Sequence, residues 1–337
     1  MALLKNSAFI LINGEKKMKK DVVALGELLI DFTGNGKSNQ GNPLMEANPG
    51  GAPCNVLSML TRLGKKTAFI GKVGEDMFGH QLEAALKEVG IGTEGLKFDS
   101  EIPTTLAFVH TKEDGDREFS FYRNPGADMM LCEGDLNEEL IKECKIFHYG
   151  SLSMTDEICE QATKSAIKLA KESGALLSFD PNLREPLWRS LEEAKQKIDY
   201  GMQQCDILKI SDNEIEWFTG TEDYEEGIRM LQEEYRIPLI LLSLGKDGSR
   251  AYYHDAKAEV PAFIQNGTIE TTGAGDTFCA CVLNYVLEHG WKAYTKKELE
   301  EMLIFANAAA SIITTRKGAL RVMPTKKEVE ELVKVSL

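Results

Sequence analysis

Short apolar runs alternate with helix-forming stretches along most of this 337-residue chain, and few folds accept that rhythm. Val22–Leu25, Leu28–Phe32, Thr67–Val73, Ile146–Tyr149, Leu176–Asp180, Ile207–Ile210 and Pro238–Ser243 read as strands. Cys54–Leu63, Gln81–Val89, Asp156–Ser173, Asp276–His289 and Lys297–Thr314 read as helices. Strands with no polar face must be covered on both sides, and the intervening helices supply the cover. The expected fold class is therefore α/β: a doubly wound, mostly parallel sheet with helices on both faces.

Two stretches break the rhythm. Residues 33–49 are rich in Gly, Asn and other polar residues. Residues 100–128 hold two strand-like runs, Thr105–His110 and Glu118–Tyr122, about a Glu113-Asp114-Gly115-Asp116 turn. Both stretches are expected in a small antiparallel β lid over a binding site. With no repeat or linker in view, residues 21–337 read as one domain carrying that lid, and residues 1–20 as an N-terminal extension. The apolar run Ala8–Ile12 comes before a lysine cluster, the wrong order for a signal peptide, and nothing approaches the roughly 20 apolar residues of a membrane span.

A formal net charge of −14 argues against nucleic acid or an anionic membrane as partner. It does not argue against a polyphosphate, which local N–H groups and bound metal can hold. The seven cysteines (Cys54, Cys132, Cys144, Cys159, Cys205, Cys279 and Cys281) include no Cys-x-x-Cys pair and read as reduced residues of a cytoplasmic protein. The five histidines form no His-Glu-x-x-His, so a zinc site is not expected.

The most informative segment is Glu270-Thr271-Thr272-Gly273-Ala274-Gly275-Asp276-Thr277-Phe278. Two glycines permit a tight turn that a ligand can approach, and a helix-forming stretch follows. The N–H groups of Ala274, Gly275 and Asp276 would then converge at a positive helix end, a setting for charge developing on a phosphoryl group in flight. A carboxylate there can take the proton of an attacking hydroxyl. Taken alone, the same residues also spell a glycine turn with an aspartate cap.

Thr272–Phe278 resembles the C-terminal signature of the ribokinase-like (PfkB) carbohydrate kinases. Gly50-Gly51-Ala52-Pro53-Cys54-Asn55, with Arg62-Leu63-Gly64 and Gly71–Gly79, resembles their N-terminal signature, and the two stand in the family's order. The likeness runs from Asp21 to Pro324. It implies a ribokinase-like fold and transfer of the γ-phosphoryl of ATP to a primary hydroxyl, with Asp276 as base and Gly273, Ala274 and Gly275 as anion hole. Asp31 is then the acceptor of sugar hydroxyls, with Gly50, Gly51 and Asn55 beside it. Ser211-Asp212-Asn213-Glu214 is similar to the family's Asn-x-x-Glu element. Asn213–Glu216 also fits its spelling, but the spacing to Thr219-Gly220 favours Ser211 and Glu214, the latter holding Mg²⁺ through water. Ser243-Leu244-Gly245-Lys246-Asp247-Gly248 resembles the nucleotide loop, and Asn307 would stand near the adenine.

Phe179–Arg184 and Tyr122–Met129 look like fructokinase phrases, which makes fructose the expected substrate and fructose 6-phosphate the product. Arg123 would then contact the sugar and Arg184 a phosphate. A 2-keto-3-deoxygluconate kinase is the nearest enzyme alternative. A non-catalytic sugar- or nucleotide-binding homologue is the alternative of another class. Many family members place K⁺ beside the anion hole, held by an aspartate six residues before the base. Here that position is Glu270, one methylene longer, so the expectation is a displaced or weakly activating monovalent cation. The exposed lid offers an edge for pairing with a second copy.

Overall fold

The computed structural model describes residues 20–111, 117–265 and 267–336. The Glu113–Asp116 turn lies outside the described residues. Strands β1 (Lys20–Leu25), β2 (Leu29–Lys37), β3 (Pro43–Gly50), β4 (Thr67–Gly74), β5 (Gly92–Asp99), β6 (Leu106–Thr111) and β7 (Arg117–Tyr122) occupy the first part of the chain. β8 (Cys144–Gly150), β9 (Leu176–Asp180), β10 (Ile207–Ser211), β11 (Leu239–Ser243), β12 (Ser249–Tyr253) and β13 (Ala256–Val260) complete the strands. The helices are α1 (Ala52–Arg62), α2 (Met77–Glu88), α3 (Glu138–Lys142), α4 (Glu157–Glu172), α5 (Leu191–Gln204), α6 (Asp212–Thr219) and α7 (Tyr224–Tyr235), then α8 (Ala274–His289), α9 (Lys296–Ile313) and α10 (Lys326–Ser336).

The main sheet has the order β13-β12-β11-β10-β9-β8-β1-β4-β5. Its pairings are parallel from β11 through to β5, and β12 and β13 add antiparallel ladders at one edge. Side chains alternate between the two faces of β1: Val22 and Ala24 enter one core, Val23 and Leu25 the other. α1, α2, α8 and α9 cover the first face, and α4, α5, α6 and α7 the second. The order reverses between β8 and β1, since the chain grows one way through β4 and β5 and the other way through β9 to β11. Such a reversal opens a crevice at the carboxyl ends of the strands.

The second sheet, β3-β2-β6-β7, is the lid. β2 pairs antiparallel with β3, and β6 antiparallel with β7, as the two lid segments suggest. The two hairpins meet along β2 and β6, which run parallel because each is the outgoing strand of its hairpin. Asp76 ties the lid to the body. Its carboxylate caps α2 through the Phe78 and Gly79 N–H groups and also accepts from the Thr104 N–H and hydroxyl at 2.8 Å, just before β6.

Candidate active site

The crevice at the strand reversal is a cavity of about 700 Å³, roofed by β2 and β3 and floored by the start of α8. Its lining includes Asp31, Gly50, Gly51, Asn55, Arg123, Arg184, Glu270, Gly273 and Asp276. Residues more than two hundred positions apart therefore share one space.

α8 begins at Gly273, whose left-handed backbone (φ 76°) brings the chain into the helix. A Cβ there would sit 2.8 Å from that of Ala319, so glycine is required on two counts. From Thr277 to Val286 every residue of the helix is buried, which locks its first turn in place. The Ala274 N–H is taken by the Thr271 carbonyl at 3.2 Å, because residues 271–274 close as a turn. The donors left for a ligand are thus those of Gly275 and Asp276, fewer than the three expected.

Asp276 stands in that first turn. Asn55, buried on α1, donates from Nδ2 to Asp276 Oδ2 at 2.8 Å. This orients one carboxylate oxygen and leaves the Asn55 Oδ1 buried without a protein partner. Burial raises the carboxyl above its ordinary range, against the Asn55 hydrogen bond and the charges of Lys209 and Arg184, which lower it.

Asp31, third residue of β2, packs against the glycine turn that ends β3. A Cβ on Gly50 would collide with its carboxylate, and one on Gly51 with the Glu27 carbonyl. Burial pushes the Asp31 carboxyl up to about 7, eased by Arg184 and reinforced by Glu270. Glu27, absent from the sequence expectations, holds the same turn: its Oε1 accepts from the Ala52 N–H at 2.9 Å, and burial pushes its carboxyl to about 7.

Arg123 reaches the cavity wall, but its nitrogens donate to Asp128, the Thr155 hydroxyl and the Leu152 carbonyl at 2.8, 2.8 and 3.0 Å. It is first of all a brace between the lid and the loop after β8. Glu270 Oε1 accepts from the Gly318 N–H at 2.5 Å, joining the segment that leads into α8 with the loop after α9.

Of the residues expected on the nucleotide side, Arg184 lines this cavity and the others are not among its lining. Ser211 and Ser243 are neighbours across β10 and β11, and Gly245 and Gly248 form the bend after β11. Glu214 spends its carboxylate on a capping box: Oε2 accepts from the Ser211 N–H and hydroxyl at 2.8 Å, and Oε1 from the Leu183 N–H at 2.8 Å. Asn307 is buried. It donates to the Val260 and Pro261 carbonyls and accepts from Ser249, so it fastens α9 to β12 and β13. No group of three His, Cys, Asp or Glu side chains able to hold a metal occurs among the described residues.

Comparison with known proteins gives the family. The family described as pfkB family carbohydrate kinase matches residues 19–326. The chain belongs to the pfkB carbohydrate kinases. It is 43% identical over 330 residues to a probable fructokinase-2 of Arabidopsis thaliana, covering 96% of this chain and 98% of the relative. It is 45% identical over 315 residues to fructokinase-1 of Oryza sativa subsp. japonica, covering 93% and 97%. The structure of fructokinase with bound ATP from Xylella fastidiosa superposes with a TM-score of 0.86 at 31% identity, covering 94% of this chain and 99% of that one. The kinase is a phosphotransferase acting on a sugar hydroxyl. No helix among its described residues is long and apolar enough to cross a membrane.

The carboxyls raised by burial make the kinase's stability depend on pH, Asp31 and Glu27 up to the highest value, about 7. Asp31 and Glu27 bind protons more tightly folded than unfolded, so their contribution is full in acid and lost as pH rises through about 7. Buried His148, lowered to about 4 chiefly by burial, acts oppositely, an effect that fades as pH rises through its unfolded value of 6.5. Between pH 6.5 and about 8 that opposition dies away while the two carboxyls lose the last part of their contribution. The Tm of the ligand-free protein should fall across that window. Asp31→Asn should flatten the fall, and differential scanning calorimetry at matched ionic strength checks both.

Proposed function

We propose that the kinase transfers the γ-phosphoryl of ATP to the primary hydroxyl of fructose, giving fructose 6-phosphate and ADP. The observation that carries the reading is the shared cavity: a hydroxyl-accepting carboxylate, Asp31, at the lid and a base, Asp276, on the first turn of a buried helix. The fructokinase relatives supply the choice of sugar.

Asp31, pinned by Gly50, accepts hydrogen bonds from the sugar hydroxyls and sets the ring's orientation. Asn55 holds one oxygen of Asp276, and the other takes the proton of the attacking hydroxyl as its oxygen bonds to phosphorus. The Gly275 and Asp276 N–H groups, at the positive end of α8, face the charge that builds on the transferring group. Arg184 adds charge from the loop after β9, near Asp31 and Asp276. Glu214 would help to hold Mg²⁺, which would supply charge to neutralise the phosphates, and Ser211, Ser243, Gly245, Gly248 and Asn307 would line the nucleotide side. The lid covers the reacting groups and excludes water.

The same reading takes residues 21–337 as one kinase domain and places the protein in the cytoplasm. It gives the lid edges, where Leu44, Met45 and Tyr122 are exposed, as the pairing surface for a second copy. It also makes monovalent-cation activation weak, because the Glu270 carboxylate already bonds to Gly318, in the loop that would share the ion.

Three measurements test it. Asp276→Asn should lower kcat by at least about 10²-fold with little change in ATP affinity, and near-normal turnover would sink the role of base. Fructose should give the highest kcat/KM in a coupled assay against ribose, glucose and 2-keto-3-deoxygluconate, and a tenfold preference for another sugar overturns the choice. K⁺ should raise kcat less than about tenfold over a bulky organic cation, under roughly 1.4 kcal/mol of barrier, so strict K⁺ dependence contradicts the account of Glu270.

A further inference from the structure

A lysine is buried under the reacting centre without entering the cavity. Lys209 lies in the middle of β10, between Leu208 and Ile210, and is 7% exposed. Its Nζ sits 3.1 and 3.3 Å from the two carboxylate oxygens of Asp180, the buried last residue of β9. Glu214 and Asp276 also face it closely enough to interact electrostatically, so one cation meets carboxylates from three neighbouring elements. Burial favours the neutral amine, but these carboxylates outweigh it and hold the ammonium charged.

The ammonium is placed by contact with the anion hole itself. A Cβ built on Gly275 would stand 3.2 Å from Lys209 Nζ and 3.6 Å from Cε. The lysine therefore abuts the backbone of α8 at the middle residue of the turn whose outer side faces the cavity. The strand around it is apolar: the flanking Ile207, Leu208 and Ile210 are fully buried. A desolvated ion pair is a costly way to fill a core, and its retention beside the reacting turn calls for a function.

We propose that Lys209, anchored by Asp180 beneath Gly275, completes the positive end of α8 and supplies a fixed charge against which the transferring phosphoryl group is stabilised. It is a positioning residue, because it acts through the helix turn and its field and not by touching substrate. The charge is in place before the reaction, so no reorganisation is needed as the transition state forms. The proposal rests on the phosphoryl-transfer reading given above.

The test uses the full chain in the coupled assay with fructose and ATP, alongside thermal melts. Lys209→Met should lower kcat by about 10- to 100-fold, toward the loss seen when an oxyanion donor is removed, with both KM values changed less than about threefold. Since that variant leaves Asp180 buried and unpaired, Asp180→Asn/Lys209→Met is made as well. It should recover the melting temperature and stay as slow as Lys209→Met. Asp180→Asn alone, which keeps the ammonium, should lose less than Lys209→Met. Recovery of turnover in the double variant, equal losses in the two single variants, or failure of the double variant to melt cooperatively would make the pair a structural element and overturn the proposal. A rise in KM at unchanged kcat would do the same. If the unmodified chain phosphorylates no sugar in the panel, the proposed activity fails and this inference with it. Normal turnover of the unmodified chain with an unaffected Lys209→Met sinks this inference alone.

Discussion

The site depends on the anchoring of α8. The helix is buried from Thr277 to Val286 and packs against α1 and α9, and it carries its first turn to the mouth of the crevice. Everything reactive is referred to that turn. Asn55 reaches it from α1, Glu270 leads into it, and Lys209 supports it from below. An anchored scaffold is what a reaction governed by position and charge needs, since the protein supplies little covalent chemistry of its own.

Two cations temper the acidic groups around the turn. Asp31, Glu27, Asp180 and Asp276 are all raised by burial, yet the lysine and the guanidinium of Arg184 keep the region from being uniformly acidic. Without the cations, a polyanion would be repelled from the helix end meant to hold it. Hydrogen bonding divides the carboxylates by task. Glu214 accepts from three protein donors and lies below its ordinary range, because Lys209 and these donors outweigh its burial.

Much of this was legible in the chain itself. β9 coincides with its expected run, β10, β11, α4, α8 and α9 fall within two residues of theirs, and the glycine turns stand where the signatures place them. What escaped was non-local. Lys209 sits inside Ile207–Ile210, where a single charge in an apolar strand carries no local signal, and its partner is 29 residues away on another strand. Glu27 reads as a strand-end residue until the fold brings Ala52 to it. β5, β12 and β13 were missed because glycine or charged residues interrupt their apolar pattern, which suits positions at or beside the sheet edges. Residue type also tells only part of the story on the nucleotide side: Asn307 has the chemistry to stand near a base, and the fold adds a second task, since its amide fastens α9 to β12 and β13.

The lid strand β2 works as a lever with a short inner arm. It spans nine residues from Leu29 to Lys37, and Asp31 stands only two steps from the root. At about 3.3 Å per residue, the tip is roughly 26 Å from the root and Asp31 about 7 Å. A swing pivoting at the root would therefore reach the carboxylate reduced about fourfold. In such a swing the outer part of the strand would travel about four times as far as the group that orients the sugar. Opening and alignment are thereby separated along a single strand.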